Sequence, residues 1–186
     1  MLSYVYQYIV RKETLMHVFQ PVSIDDIMTG PFTFKKENMM LISAQTGDKV
    51  NATTASWGSF GFFLDKHIVT IYLRKERYTR ELIDSSDYFA LSFLDLVDYK
   101  RELKFMGMIS GRNEDKIKGA RLTINHDEDT KVPFIDEASN VIICHKIITK
   151  ELDIDSFDDK SLIDEFYKKE DFHTMFIGEI EKIMIR

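Results

Sequence analysis

The sequence predicts a mainly β chain, folded as an antiparallel barrel with short helices decorating it. Three observations carry this reading. Six or seven runs have the two-residue alternation or the β-branched content of strands. Only three or four segments have helical spacing, and each is short. Turn residues join the strands more often than full-length helices do, which disfavours a doubly wound parallel sheet.

Taken in order, Ser23-Ile24-Asp25-Asp26 has a capping pattern, and Thr29-Gly30-Pro31 would stop a short helix there. Residues 38–44 form a compact apolar run, Thr46-Gly47-Asp48-Lys49 is a turn, and 50–56 resumes as strand, so the pair reads as a β-hairpin. Gly58 and Gly61 interrupt the pattern ahead of Phe62-Phe63-Leu64. Residues 67–73 are a β-branched strand, 79–85 a short helix burying Leu82 and Ile83, and 88–94 another strand. Residues 100–106 look helical and stop at Gly107; 115–119 adds a turn of helix. A β-branched strand over 140–149, an amphipathic helix over 161–168 and a long strand over 174–185 close the chain.

At 186 residues, with 44% hydrophobic and 12% aromatic content, the chain suits one soluble domain with a full core. A net charge of −6 gives no reason to expect nucleic-acid binding. Cys144 is the only cysteine, which excludes an intrachain disulfide and a thiolate metal cluster and favours a reducing compartment, hence the cytoplasm. No run reaches the ~18–20 apolar residues of a membrane helix. The apolar N-terminus lacks the basic lead and small-residue exit of a signal peptide. Residues 1–15, with Tyr4, Tyr6 and Tyr8 alternating, read as an extension to a domain spanning 16–186.

The chemistry concentrates in two places. Asn51-Ala52-Thr53-Thr54-Ala55-Ser56-Trp57-Gly58 is a strand of small hydroxyl residues ending on the only tryptophan. Arg74-Lys75-Glu76-Arg77-Tyr78-Thr79 is a basic cluster at a helix start. A flavin mononucleotide makes three demands. Its phosphate needs guanidinium forks, hydroxyls and helix-start amides, which Arg74, Arg77 and Thr79 can supply. Its ring needs an aromatic-lined slot, which Trp57 can provide. The ring's polar edge needs backbone or small hydroxyls alongside, available at Thr54, Ala55 and Ser56.

On these residues the chain resembles the flavin reductase-like proteins with the FMN-binding split β-barrel, in particular the flavoredoxin-type branch. Asn51 to Gly58, Arg77-Tyr78-Thr79 and Tyr88-Phe89-Ala90-Leu91-Ser92-Phe93 match, followed by Gly107 with Ser110-Gly111 and Asp115-Lys116. Asp171-Phe172-His173 and Phe176-Ile177-Gly178-Glu179-Ile180 complete the set. The resemblance covers about residues 16–186 in the right order. It implies a split, Greek-key-like barrel working as a homodimer, with FMN near the subunit interface. Thr54, Ala55, Ser56 and Trp57 would contact the flavin and Arg77, Tyr78 and Thr79 the phosphate; Arg74, Ser110, Lys116 and His173 join the cofactor-binding set. It implies flavin reduction by NADH or NADPH, or electron relay through bound FMN, and Lys116 and His173 are candidates to tune the flavin. The chain departs from the branch at Thr53, where Met is usual and where the change would alter the flavin's surroundings, and at His67 and Lys75, where Pro is common.

Plainer roles compete for several of these residues. Trp57 can be a core or rim residue, the basic cluster a solvated salt-bridged helix start, Thr79 only an N-cap, and His173 a structural histidine. His126-Asp127-Glu128-Asp129 reads as a surface turn with no metal spacing, and Cys144 as a buried small hydrophobe. Tyr88, Phe89 and Phe93 read as barrel core. Three activities compete: an NAD(P)H-dependent flavin oxidoreductase, an electron carrier without nicotinamide activity, and a binding module for another planar ligand such as haem. A pyridoxamine-phosphate oxidase-like enzyme would share the barrel without the Trp57 motif.

Overall fold

The computed structural model describes residues 39–168 and 171–185. The expected N-terminal extension, its boundary at residue 16 and the helix begun by Ser23 lie outside these residues. The strands are β1 Met40–Thr46, β2 Lys49–Ala55, β3 Gly58–Phe63, β4 Lys66–Arg74, β5 Tyr88–Phe93, β6 Ile124–His126, β7 Pro133–Ile135, β8 Asn140–Glu151 and β9 His173–Ile185. The helices are α1 Tyr78–Asp84, α2 Lys100–Met108, α3 Lys116–Gly119 and α4 Ser161–Phe166. Among the described residues no helix is long and apolar enough to cross a membrane.

Seven strands form one sheet in the order β2-β1-β5-β8-β9-β4-β3, every pair antiparallel. The two edge strands of that sheet, β2 and β3, are consecutive in the chain and joined only by Ser56 and Trp57. In a flat sheet of this order their axes would lie about 29 Å apart. The link from Ala55 to Gly58 spans at most about 11 Å. The sheet therefore curls until its edges approach where β2 ends and β3 begins, yet no ladder joins them: it is a barrel split along one seam, as the sequence leads one to expect.

Strand alternation divides the apolar residues between two cores. Met40, Ile42, Val69, Ile71, Phe89, Leu91, Ile142 and Phe176 fill the barrel, with Leu82 and Ile83 of α1 among them. Leu41, Ala52, Ala90, Val141 and Ile143 face outward and are covered by Leu103 and Met106 of α2, by Ile117 of α3 and by Ile135 of β7. Cys144 is fully buried in the barrel core, and burial pushes its thiol far up, so it is the inert hydrophobe expected. The β8–β9 ladder shifts register twice, between Ile143 and Cys144 and between Lys146 and Ile148. Between the shifts, opposite Lys146, stands Gly178, where a Cβ would lie 2.7 Å from the Phe89 ring and 2.8 Å from Cβ of Cys144.

The structure corrects several expected boundaries. Gly58 and Gly61 do not interrupt a strand; they belong to β3. Helix α2 runs through Gly107 to Met108, and the glycine does not stop it. The ribbon of β6 and β7 was not anticipated. It is pinned to the sheet by two buried serines: Ser43 Oγ donates to the Pro133 carbonyl at 2.6 Å, and Ser92 Oγ accepts from the Ile135 amide at 3.0 Å.

Candidate functional site

Strand β2 lies at one lip of the seam, so one side of its backbone has no strand partner among the described residues. Alternation sends Asn51, Thr53 and Ala55 to one face and Ala52 and Thr54 to the other. Thr54 donates its hydroxyl to the Leu103 carbonyl of α2 at 2.6 Å, leaving backbone as what it can offer a ligand. Ala55 and Ser56 are half-buried and Trp57 is 42% exposed at the end of the lip.

A cavity of about 320 Å³ opens on the Thr53 face. Its walls come from Thr53, from Glu76, Arg77 and Tyr78 at the start of α1, from Met108 to Arg112 after α2, and from Lys116. Three cations, Arg77, Arg112 and Lys116, and one acidic residue, Glu76, line it. Arg77 donates to the Gly107 carbonyl at 2.6 Å; Lys116, 3% exposed, donates to the carbonyls of Met106 at 2.8 Å and Ile109 at 3.2 Å. These are acceptors at the C-terminal end of α2, where carbonyls lack helical partners and positive charge is favoured. Carbonyls do not neutralise charge, and among the described residues neither Arg77 nor Lys116 forms an ion pair. Burial, and then the charge of Arg77, lower the Lys116 ammonium to about 8. Arg112, on the rim, is paired with Glu81 and lies 5.5 Å from the Tyr78 ring. The Thr53 hydroxyl is buried and has no hydrogen-bond partner among the described residues. A buried orphan hydroxyl costs about 1–3 kcal/mol, so its survival in this wall calls for a reason.

A second cluster surrounds the indole. The Trp57 and His173 rings are 4.9 Å apart, and Phe166 meets Trp57 edge-on at 5.8 Å. His173 Nδ1 shares a 2.8 Å hydrogen bond with the Tyr167 hydroxyl. Burial, then the charge of Arg74, lower the imidazole to about 4, with Arg77 adding to the effect and Asp171 opposing it. His173 is therefore neutral at pH 7 and brings no positive charge to a ring beside it. Arg77 links the two clusters, its charge acting on both Lys116 and His173.

Arg77, Tyr78, Ser110 and Lys116 thus share one cavity, whereas Trp57 and His173 share the neighbouring cluster. Arg74 sides with the second: it donates to the Asp171 carbonyl at 3.0 Å and the Phe166 carbonyl at 3.1 Å, and it faces the Tyr167 ring. Thr79 is not the N-cap. Arg77 holds that position, while Thr79 is fully buried and its hydroxyl accepts from Asn51 Nδ2 at 2.9 Å. Gly111 packs on that Asn51 so closely that a Cβ would stand 2.2 Å from it. Tyr167, Met108 and Ile109 had no signal in spacing; only the fold brings them in. The expected surface turn over 126–129 holds only in part: His126 ends β6, Glu128 and Asp129 are exposed, but Asp127 is 3% exposed, and although burial pushes its carboxyl up, hydrogen bonds from Lys182 at 2.6 Å and from Thr130 outweigh it and hold it down to about 2. Among the described residues no group of acidic, histidine or cysteine side chains is placed to hold a metal.

The sequence profile of the flavin reductase like domain matches residues 36–186. An uncharacterised protein of Archaeoglobus fulgidus is 24% identical over 133 residues, covering 72% of this chain and 64% of that protein, so the chain spans less than two thirds of this relative. Among solved structures, the flavoredoxin of Desulfovibrio vulgaris (Miyazaki F) superposes with a TM-score of 0.63 at 23% identity, over 80% of this chain and 69% of that one. An FMN-binding domain of a flavin reductases-like enzyme from Shewanella baltica gives 0.60 at 19%, over 79% and 68%. At these identities the likeness speaks to the fold.

Proposed function

The chain belongs to the flavin reductase-like domain family, a family of flavin-dependent oxidoreduction, and on that premise we propose that it binds FMN and reduces it, or an acceptor through it, with NADH or NADPH. The observation that carries this reading is the cavity with Arg77 and Lys116, two cations without an ion pair among the described residues, beside the strand edge of β2 that has no strand partner among them and leads to Trp57. The residues fit the group. Arg77, Lys116, Ser110 and the Tyr78 backbone hold the phosphate; Thr54, Ala55 and Ser56 present backbone to the polar edge of the ring; Trp57, backed by His173, bounds the ring's far end.

When bound, the flavin supplies the hydride and electron chemistry, and the protein contributes position and electrostatics. Lys116 keeps its proton at pH 7 and supplies positive charge. His173, neutral and tied to Tyr167, fixes the indole and keeps that wall apolar. Arg74 and Thr79 support the two walls from outside. A homodimer with the flavin near its interface, acting in the cytoplasm, completes the proposal.

An absorption spectrum of the purified protein with added FMN, followed by anaerobic titration with each nicotinamide, tests it. Bound yellow flavin that bleaches with NADH or NADPH is expected. Bound flavin inert to both but reducible by dithionite would identify an electron carrier instead. A protein that stays colourless with FMN would overturn the reading.

A further inference from the structure

We infer that the Thr53 hydroxyl is a phosphate ligand, the neutral hydrogen-bond donor that completes the seat formed by Arg77 and Lys116. The inference rests on the FMN reading but concerns a residue that reading does not use. Four observations converge on it. Thr53 is 1% exposed, and its Oγ1 has no hydrogen-bond partner among the described residues. It forms part of the wall of the cavity that Arg77, Ser110 and Lys116 also line. Its neighbours on the same face of β2 are otherwise committed: Asn51 is bonded to Thr79, and Ala55 packs against the barrel core. Across the ladder Thr53 faces Ile42, which has no polar group to offer.

An anion entering this cavity meets Arg77 and Lys116, whose hydrogen bonds run to backbone carbonyls, together with Arg112, which Glu81 already holds, the acidic Glu76, and one hydroxyl that has no hydrogen-bond partner among the described residues. A phosphate carries more acceptor oxygens than Arg77 and Lys116 engage, so the hydroxyl gains a charged acceptor without displacing any existing bond. Nothing in the barrel requires the oxygen: valine has the same shape and the same β-branching, and an apolar replacement removes the unmet polar group.

The test compares wild type, Thr53→Val and Thr53→Ser, with FMN, riboflavin and inorganic phosphate as probes. Flavin affinity is read by fluorescence quenching and phosphate binding by the shift in unfolding temperature. Thr53→Val is expected to fold, to unfold without ligand at a temperature no lower than wild type, and to bind FMN about tenfold or more weakly. Its riboflavin affinity should not change, and its phosphate-induced shift should vanish. Thr53→Ser, which keeps the hydroxyl, should retain most of the FMN affinity. Wild-type FMN affinity in Thr53→Val would leave the buried hydroxyl without a part in phosphate binding and overturn the inference while leaving the FMN reading intact. Equal losses for FMN and riboflavin would overturn it too, by assigning the hydroxyl to the ring. If wild type binds phosphate but no FMN, and Thr53→Val loses the phosphate response, the flavin reading fails and the seat stands. If wild type binds none of the three, both fail.

Discussion

Lys116 and His173 look alike in sequence, each a lone basic residue in a matching motif, but their surroundings separate them. Both are buried, and burial lowers both. The lysine begins so high that it stops at about 8 and stays charged at pH 7; the histidine falls to about 4 and is neutral. This gives FMN affinity a pH dependence with a definite sign. Below about pH 8 the protonated Lys116 attracts the phosphate; as pH rises through that range the charge is lost and affinity falls. Phosphate binding favours the protonated form, so the midpoint lies higher in the complex. Quenching titrations from pH 6.5 to 9.5 should show this decline, and Lys116→Gln should bind more weakly at pH 7 and lose the decline. An unchanged decline in Lys116→Gln would move the titrating group elsewhere. That Arg77 and Lys116 line one cavity was not legible from spacing: Arg77 stood out as a cation at a helix start, Lys116 entered only through the resemblance and as a candidate tuner of the ring, and the fold is what brings the two together. The burial of Thr79 and the capture of Arg74 were not legible either, since both depend on partners, Asn51 and Asp171, that only the fold brings near.

At the level of elements, the turn between β3 and β4 is the point where local preference and structure disagree most. Phe63 pairs with Lys66, so the loop is Leu64-Asp65, and both residues have positive φ, 52° and 56°. Two-residue hairpins favour this geometry because its twist matches the strands, but they normally fill it with Asn-Gly. A left-handed backbone costs an ordinary residue roughly 1–2 kcal/mol. Replacing Leu64 with Asn and Asp65 with Gly should therefore stabilise the protein by about 1 kcal/mol, raising the unfolding temperature by roughly 2–4 °C. No rise would mean that neighbouring packing compensates for the strain. The same disagreement explains what was hard to read. Thr46-Gly47-Asp48-Lys49 announces its hairpin, with Gly47 at φ 57° as a turn requires. Leu64 disguises the second hairpin as apolar strand, so β3 reads as an interruption. The β6–β7 strands, three residues each, are too short for any periodicity to show and are held by Ser43 and Ser92 instead.

For the whole molecule, the decisive feature is that the barrel is closed by a two-residue link and not by a ladder. The proposed phosphate seat lies beside that seam and draws its walls from β2, from the start of α1 and from the segment between α2 and α3. A ligand held there ties together parts of the chain that no strand pairing joins, and all of them must unfold to release it. Binding to the folded state alone stabilises by about 2.7 kcal/mol at a hundredfold excess over Kd. In a chain of 186 residues this corresponds to a rise of roughly 5–11 °C. The rise should appear in a single transition, with calorimetric and van't Hoff enthalpies in agreement, because the two cores share strands β1, β5 and β8 and cannot melt independently. Two separated transitions with FMN, only one of which moves, would show that the seam divides the protein into halves that unfold apart. The seat would then belong to one half and could not act as a clasp across the split.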